Sequence, residues 1–416
     1  MNFWAELDRW LPTGMRDVLD RVSVRAGELG WRVFLVGGPV RDMLLGLTSL
    51  DLDVVIEGDA VILAREMARP GEPAPVVHAD FGTATISVGG ARIDLVTARA
   101  ETYEHPGALP SVRPGSIEED LARRDFSLNA MALALNGGHR GDLLDPHGGW
   151  GDLEHGFIRV LHDRSFIDDA TRMLRGVRYE QRFGFALEPG TLALLKRDLA
   201  YLDSISGDRV RHEMERTFEE HEPEQTLQRL DAMGLLGALH PGLRFGPRRA
   251  EALFAVRRRP RSSGVFPSLC WCLLAWHLDA GALPSLRARL NLRRSVSDDI
   301  ADALALGELE SRLDRPDLKP SEVFDLLHGR SQAALQAAGL LFEGPRAREG
   351  VALYLSHLRF VRPALAGRDL LQLGFTDGPA LGRALATLRS ARLNGEVASR
   401  QDEAALALRL LSEGRP

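Results

Sequence analysis

Apolar residues in the first third of the chain fall into short runs bounded by turn-forming residues, and thereafter they recur at helical spacing. Arg32 to Val36 is a compact apolar run ending in Gly37-Gly38, and Leu50 to Glu57 alternates before turning apolar. Thr83 to Val88 and Arg92 to Val96 flank Gly89-Gly90, which predicts a tight hairpin. From about residue 115 onward Leu, Ala and Arg dominate a helical pattern punctuated by Pro and Gly. The fold class expected is α+β: an N-terminal mixed domain followed by an all-α region. Turn formers crowd Asp145 to Gly151, which predicts a boundary near residue 150, and a second seam is expected between Glu220 and Glu224.

Composition narrows this picture. A chain of 416 residues exceeds one ordinary core, and 44% hydrophobic with 26% charged residues describes a folded chain. The formal net charge of −6 means that any nucleic acid must be held by a local basic surface. Cys270 and Cys272, the two cysteines, sit one residue apart in an apolar run, a spacing suited to buried hydrophobes and not to zinc or a disulfide framework. The N-terminus lacks a basic segment followed by an apolar stretch, and no window is long and apolar enough to span a membrane. A cytoplasmic protein with no membrane partner is expected.

Candidate chemistry begins at the glycine turn. Gly37-Gly38-Pro39-Val40-Arg41-Asp42 follows a strand and opens a helix, with Val40, Met43, Leu44 and Leu47 at i, i+3, i+4 and i+7. Two glycines admit close backbone approach to a phosphate, and Arg41 in the first turn is placed to meet one; a turn that only packs strand on helix accounts for the same residues. Asp51 and Asp53 lie at i and i+2 of a strand, so both carboxylates share a face while Leu52 points away. Such a pair is a wet strand face or a holder of Mg²⁺. Asp94, in the second arm of the hairpin, supplies a third carboxylate. Three carboxylates beside a phosphate-binding turn form the kit for two-metal phosphoryl transfer, Asp94 drawing off the hydroxyl proton.

These residues resemble the class II tRNA nucleotidyltransferase and bacterial poly(A) polymerase family, within the polymerase-β-like superfamily. The resemblance rests on LVGGPVRDMLLGLTSLDLDVVIEGD (35–59), ARRDFSLNAMAL (122–133), LLDPHGGWGDLEHGFIRVL (143–161), DDATRMLRGVRYEQRFGF (168–185) and SGDRVRHEMERTF (206–218), five motifs in the family's order. It implies a nucleotidyltransferase head at 1–150, a helical neck that recognises the base at 151–220, and a helical body and tail that bind tRNA at 221–416. It places the Mg²⁺ ligands on Asp51 and Asp53 with Asp94 as catalytic partner, and the phosphate turn on Gly37, Gly38 and Arg41. Arg124 is implied to contact phosphates and Asp125 to lie near the ribose 2′-hydroxyl, with Asn129 supporting both. Asp168, Asp169 and Arg172 match the group that reads the incoming base, Asp168 standing where the family often has Glu.

On one continuous helix Asp168, Asp169, Arg172, Arg175, Arg178 and Arg182 would share about half the circumference. Asp169 could then accept from an exocyclic amine and Arg172 donate to a ring acceptor, a pairing that suits cytosine and adenine, while Arg175 and Arg178 would lie along the triphosphate. A solvated helix with i,i+3 ion pairs accommodates the same spacing.

Between Arg244 and Arg294 stand eleven arginines, opposed locally by Glu251 and Asp279 alone. They offer a surface for tRNA phosphates or an ordinary solvated face. No His-Asp pair has the spacing of the phosphohydrolase domain that some relatives carry, and His277 reads as a helix residue. The activity expected is template-independent addition of C and A from CTP and ATP to a tRNA 3′ end. CC-only or A-only addition, poly(A) polymerisation, a small-molecule nucleotidyltransferase and an inactive RNA-binding scaffold are the alternatives.

Overall fold

Two aspartates alternating with apolar residues decide how the central strand sits. Over β2 (Asp51–Glu57), Asp51 and Asp53 are exposed while Leu52, Val54, Val55 and Ile56 are buried. The computed structural model describes residues 1–48, 51–68, 73–79, 82–88, 91–257 and 265–413. Contacts divide the chain into two units, one formed by Met1–Glu222 with Ala232–Ala238 and the other by Pro223–Asp231 with Leu239–Pro416.

The first unit is built on a seven-stranded sheet. With β1 (Arg32–Val36), β3 (Val76–His78), β4 (Thr83–Val88), β5 (Ala91–Thr97), β8 (Ala132–Ala134) and β9 (Leu143–Leu144), the strand order is β3-β4-β5-β2-β1-β8-β9. β2 and β5 pair in parallel, so that Asp53 faces Asp94 and Asp51 faces Arg92. β4 and β5 form the expected antiparallel hairpin through Val88 and Ala91; Gly89-Gly90 themselves lie outside the described residues. A separate ribbon joins β6 (Arg99–Thr102) to β7 (Ser111–Pro114).

The helices of this unit include α1 (Trp4–Trp10), α2 (Thr13–Glu28), α3 (Gly38–Leu44), α4 (Ala60–Met67), α5 (Ile117–Ala122), α6 (Gly149–His155), α7 (Ser165–Asp168), α8 (Thr171–Phe183), α9 (Pro189–Asp198) and α10 (Gly207–Glu219). Phe34, Val36 and Val55 of the sheet pack with Ile117 and Leu121 of α5 and with Ala132 and Ala134. A capping box between Ser116 and Glu119 starts α5, and left-handed Gly184 ends α8.

Two helical expectations are corrected. α3 stops at Leu44, and Leu47 is exposed, because seven residues suffice to bury Val40 and Met43. The segment expected to read the base is not one helix: α7 ends at Asp168, Asp169 is extended (φ −144°, ψ 97°), and α8 begins at Thr171. The Asp169 carboxylate accepts the Thr171 backbone N–H at 3.0 Å, a local turn that competes with helix continuation.

The second unit is helical. Phe266–Ala275, Arg294–Leu313 and Gln332–Leu341 pack on one another, with Trp271, Cys270 and Cys272 buried and neither cysteine in a disulfide. Helices Gly367–Gln372, Pro379–Leu393 and Arg400–Ser412 enclose a smaller core of Leu365, Leu370, Phe375, Leu388 and Ala407. His277 lies in the turn after Ala275 and not on a helix. Among the described residues no single helix is long and apolar enough to cross a membrane.

Candidate active site

Gly37 shapes the entrance to the site. Its φ of +71° is a conformation that favours glycine, and a Cβ there would come within 2.5 Å of Arg124 Nη1. Gly38 and Arg41 follow on α3 and line a cavity of about 380 Å³. Asp53, Arg124, Asp125, Asn129, Asp169, Arg172 and Arg175 line the same cavity, so eight residues singled out in the sequence besides the glycine meet in one place.

At the sheet end, Asp94 accepts the Thr85 hydroxyl at 2.6 Å and Arg92 Nε at 3.0 Å. Protein crowds Asp53 from one side although its surface is open. This loss of hydration pushes its carboxyl above the ordinary range; Arg124 opposes the shift, and repulsion from Asp94 and Asp51 adds to it. Clustered carboxylates of this kind are hard oxygen donors for a divalent cation. Among the described residues no group of three or more His, Cys, Asp or Glu forms a ready-made cage. Mg²⁺ commonly takes one or two carboxylates and fills its remaining positions with water and phosphate oxygens, so the Asp51/Asp53 pair fits it.

The arginines are held by buried acids. Asp120, fully buried, accepts Arg123 through one oxygen and Arg124 through the other, each in a forked contact, with closest approaches of 2.6 and 2.9 Å. Asn129 accepts Arg41 Nη1 at 2.6 Å and donates to Asp125 at 3.0 Å. Arg41 also stacks over Phe183, 4.6 Å from the ring centroid. Asp125 Oδ1 takes the Asn129 amide and the Phe126 N–H, and Oδ2 takes Arg175 Nε and Nη2 at 2.9 and 2.6 Å. Burial alone would raise the Asp125 carboxyl, but Arg175 and Asn129 outweigh it and hold it at about 2. Its four acceptor positions are filled. A ribose hydroxyl would therefore meet Asp125 only by displacing one of these donors.

Five expected residues are not in the cavity lining: Gly37, Asp51 and Asp94 adjoin the lining residues Gly38 and Asp53 along the chain or across the β2–β5 pairing, whereas Asp168 and Arg178 are held elsewhere. Asp168 pairs with Arg164 at 3.4 Å. Arg178 is 3% exposed between Glu213 of α10 at 3.0 Å and Glu220 just after it at 3.3 Å, and it lies off the cavity lining. Arg175 lines the cavity but is already clasped by Asp125. The solvated-helix alternative falls as well, because Arg172 and Arg178 are buried.

Sequence reading missed Glu101, Tyr103, Arg123 and Tyr179 in the cavity wall and Asp120 beneath it. The i,i+3 and i,i+4 spacing of Asp120 with Arg123 and Arg124 was the available signal for the last. Tyr103 donates to Glu101 at 3.2 Å, and burial pushes its phenol up to about 12.

At the Asp169 end of the cavity, Arg172 Nη2 donates to the Arg123 carbonyl at 2.8 Å, whereas its Nη1 is buried without a hydrogen-bond partner. A buried guanidinium N–H without a protein acceptor is costly, and at a cavity wall it is a donor that a ligand or water can satisfy.

The arginines of the second unit are less free than local sequence suggested. Arg257 pairs with Glu224 at 2.7 Å, Arg248 with Glu343, and Arg249 is buried on the carbonyls of Arg244 and Leu274. Arg258, Arg259 and Arg261 lie outside the described residues.

Comparison with known proteins agrees with this geometry. Residues 33–159 match the family model "Poly A polymerase head domain", and residues 184–245 match "Probable RNA and SrmB-binding site of polymerase A". The chain is similar to the A-adding tRNA nucleotidyltransferase of Geobacter sulfurreducens, 33% identical over 97% of this chain and 48% of that protein. It is similar to the CC-adding tRNA nucleotidyltransferase of Deinococcus radiodurans, 35% identical over 99% of this chain and 97% of that one. The chain thus spans about half the length of the first relative and nearly all of the second. Among solved structures it resembles the Thermotoga maritima CCA-adding enzyme complexed with tRNA, with 30% identity, a TM-score of 0.79 and 99% of each chain covered.

Proposed function

This chain belongs to the tRNA nucleotidyltransferase family, and from that premise we propose that it adds C, A or both to the 3′ end of tRNA, using CTP and ATP and no nucleic-acid template. The observation that carries this reading is the unpartnered Nη1 of Arg172 beside Asp169, in the same cavity as Asp53. Arg172 has a donor to give, and Asp169 accepts. Cytosine and adenine each present an amine next to a ring acceptor, whereas uracil and guanine present a carbonyl where the amine would be.

Chemistry would proceed at the other end of the cavity. The terminal 3′-oxygen of the tRNA attacks the α-phosphorus, the bond to the β-phosphate breaks, and pyrophosphate leaves. Asp51 and Asp53 would hold Mg²⁺, which when bound supplies hydroxyl activation and charge neutralisation at the leaving group. Asp94, next to Asp53 across the β2–β5 pairing, would take the hydroxyl proton. Arg41, held by Asp42 and Asn129, and Arg124, held by Asp120, would face the polyphosphate as pre-set donors, each already paired with one acid. Exposed arginines of the second unit, such as Arg287 and Arg293, are proposed to meet tRNA phosphates.

The relatives add A, CC or CCA, so the products decide among the three. Purified protein is offered tRNAs ending before CCA, after C and after CC, with each nucleoside triphosphate in turn. Addition confined to C and A supports the proposal and identifies the variant. Open-ended A tails would indicate a poly(A) polymerase, and no incorporation at all would overturn the reading.

A further inference from the structure

Arg209 stands against the carboxylate of Asp169, outside the groups assigned to the metal, the phosphates and the base. It stands near the start of α10, and its Nη2 lies 2.7 Å from Asp169 Oδ2. The other oxygen, Oδ1, accepts the Thr171 hydroxyl at 2.6 Å and the Thr171 N–H at 3.0 Å. Thr171 alone would fix one oxygen and leave the carboxylate plane to turn; a guanidinium on the second oxygen fixes the plane as well. Arg209 is itself anchored elsewhere. Its Nη1 reaches the carbonyl oxygen of Gly107, in the connection between β6 and β7, at 3.5 Å. Gly107 has φ +73°, and a Cβ there would lie 2.5 Å from Ser204 Oγ and 2.6 Å from the Ser204 carbonyl oxygen, so that connection is pressed onto the Ser204 turn. One side chain therefore joins α10, the ribbon connection and a cavity-lining carboxylate.

We propose that Arg209 is a positioning residue for base choice, which aims the free acceptor capacity of Asp169 at the exocyclic amine of cytosine or adenine. The proposal rests on the base-reading role assigned above to Asp169 and Arg172. A carboxylate aimed at that point accepts from an amine and repels the carbonyl oxygen that uracil or guanine would put there. A carboxylate free to turn does both less well. Loss of Arg209 should thus erode discrimination before it erodes chemistry.

The test is single-nucleotide extension of tRNA, reading kcat/KM for CTP against UTP and for ATP against GTP, together with Tm. Arg209→Gln keeps the side-chain bulk without the charge and is expected to lower the discrimination ratios by about tenfold or more. Arg209→Lys keeps the charge but not the fork that spans Gly107 and Asp169, and a fall of about threefold is expected. In an Asp169→Asn background, Arg209→Gln should change the ratios no further, because the group it aims is gone. A purely structural role would lower Tm and scale all four nucleotides alike. Ratios unchanged in both single variants, or single effects that multiply in the double variant, would overturn the proposal. Should the wild-type protein add U and G as readily as C and A, the base-reading assignment itself would fall, a result distinct from wild-type selectivity that survives the loss of Arg209.

Discussion

Asp53, Asp120 and Asp125 carry the same carboxyl group into three environments. Asp53 is exposed beside two other acids, and its removal relieves repulsion. Asp53→Ala should leave Tm unchanged or slightly raised while incorporation falls by at least about 10³-fold, the scale of losing several kcal/mol of transition-state stabilisation. Retained incorporation would remove the metal assignment. Asp120 is the opposite case: fully buried, it neutralises Arg123 and Arg124 together. Asp120→Ala strands two half-buried cations and is expected to cost about 3–5 kcal/mol in urea unfolding. Asp125 gives a pH signature. Its carboxyl stands at about 2 when folded against an ordinary 3.8, so its ion pair stabilises the fold fully above pH 3.8. As pH falls through 2 that contribution, about 2 kcal/mol, is lost. Acid unfolding curves of Asp125→Asn should lack this step.

At the scale of elements, the turn between β1 and α3 separates two tasks. Gly37 carries the positive φ and leaves room for Arg124, so Gly37→Ala should destabilise by about 1–3 kcal/mol and displace that arginine. Gly38 has ordinary space, with Arg41 Nη2 at 3.6 Å, and opens a helix where alanine is favoured. Gly38→Ala should therefore keep Tm within a degree or two of wild type, about 0.5 kcal/mol or less. It should nonetheless raise the KM for nucleotide, because its methyl occupies space a phosphate needs. Equal damage in both variants would contradict this division. Between α8 and α10 the logic is electrostatic: Glu213 and Glu220 hold Arg175, Arg178 and Arg182 around Tyr179. The spacing of the arginines was legible in the sequence, but their partners lie some forty residues away and could not be paired from it. The break at Asp169 was hidden too, because a side chain that hydrogen-bonds its own backbone leaves no mark in an apolar pattern.

For the whole molecule, a net charge of −6 means that the proposed tRNA substrate would be met by selected arginines, not by the average surface. Arg257 is occupied by Glu224 at 2.7 Å, whereas Arg287 and Arg293 are exposed. Arg287→Ala with Arg293→Ala should weaken tRNA binding and flatten the plot of log affinity against log salt by roughly 1.8, one increment per lost phosphate contact. Arg257→Ala should lower stability with the salt slope unchanged. A slope that responds to Arg257 alone would reverse the assignment.

The sequence by itself determined which residues are candidates for the chemistry. The glycine turn, the shared face of Asp51 and Asp53, the third acid at Asp94 and the order of the five motifs are local, and local backbone periodicity suffices to read them. Only the tertiary structure decided which charges those residues have left to offer. Arg178 is consumed by Glu213 and Glu220, Asp125 is saturated by four donors, Asp168 turns away to Arg164, and Arg172 keeps one donor unspent. Availability is what remains after every buried partner has been counted, and those partners meet only when distant segments pack.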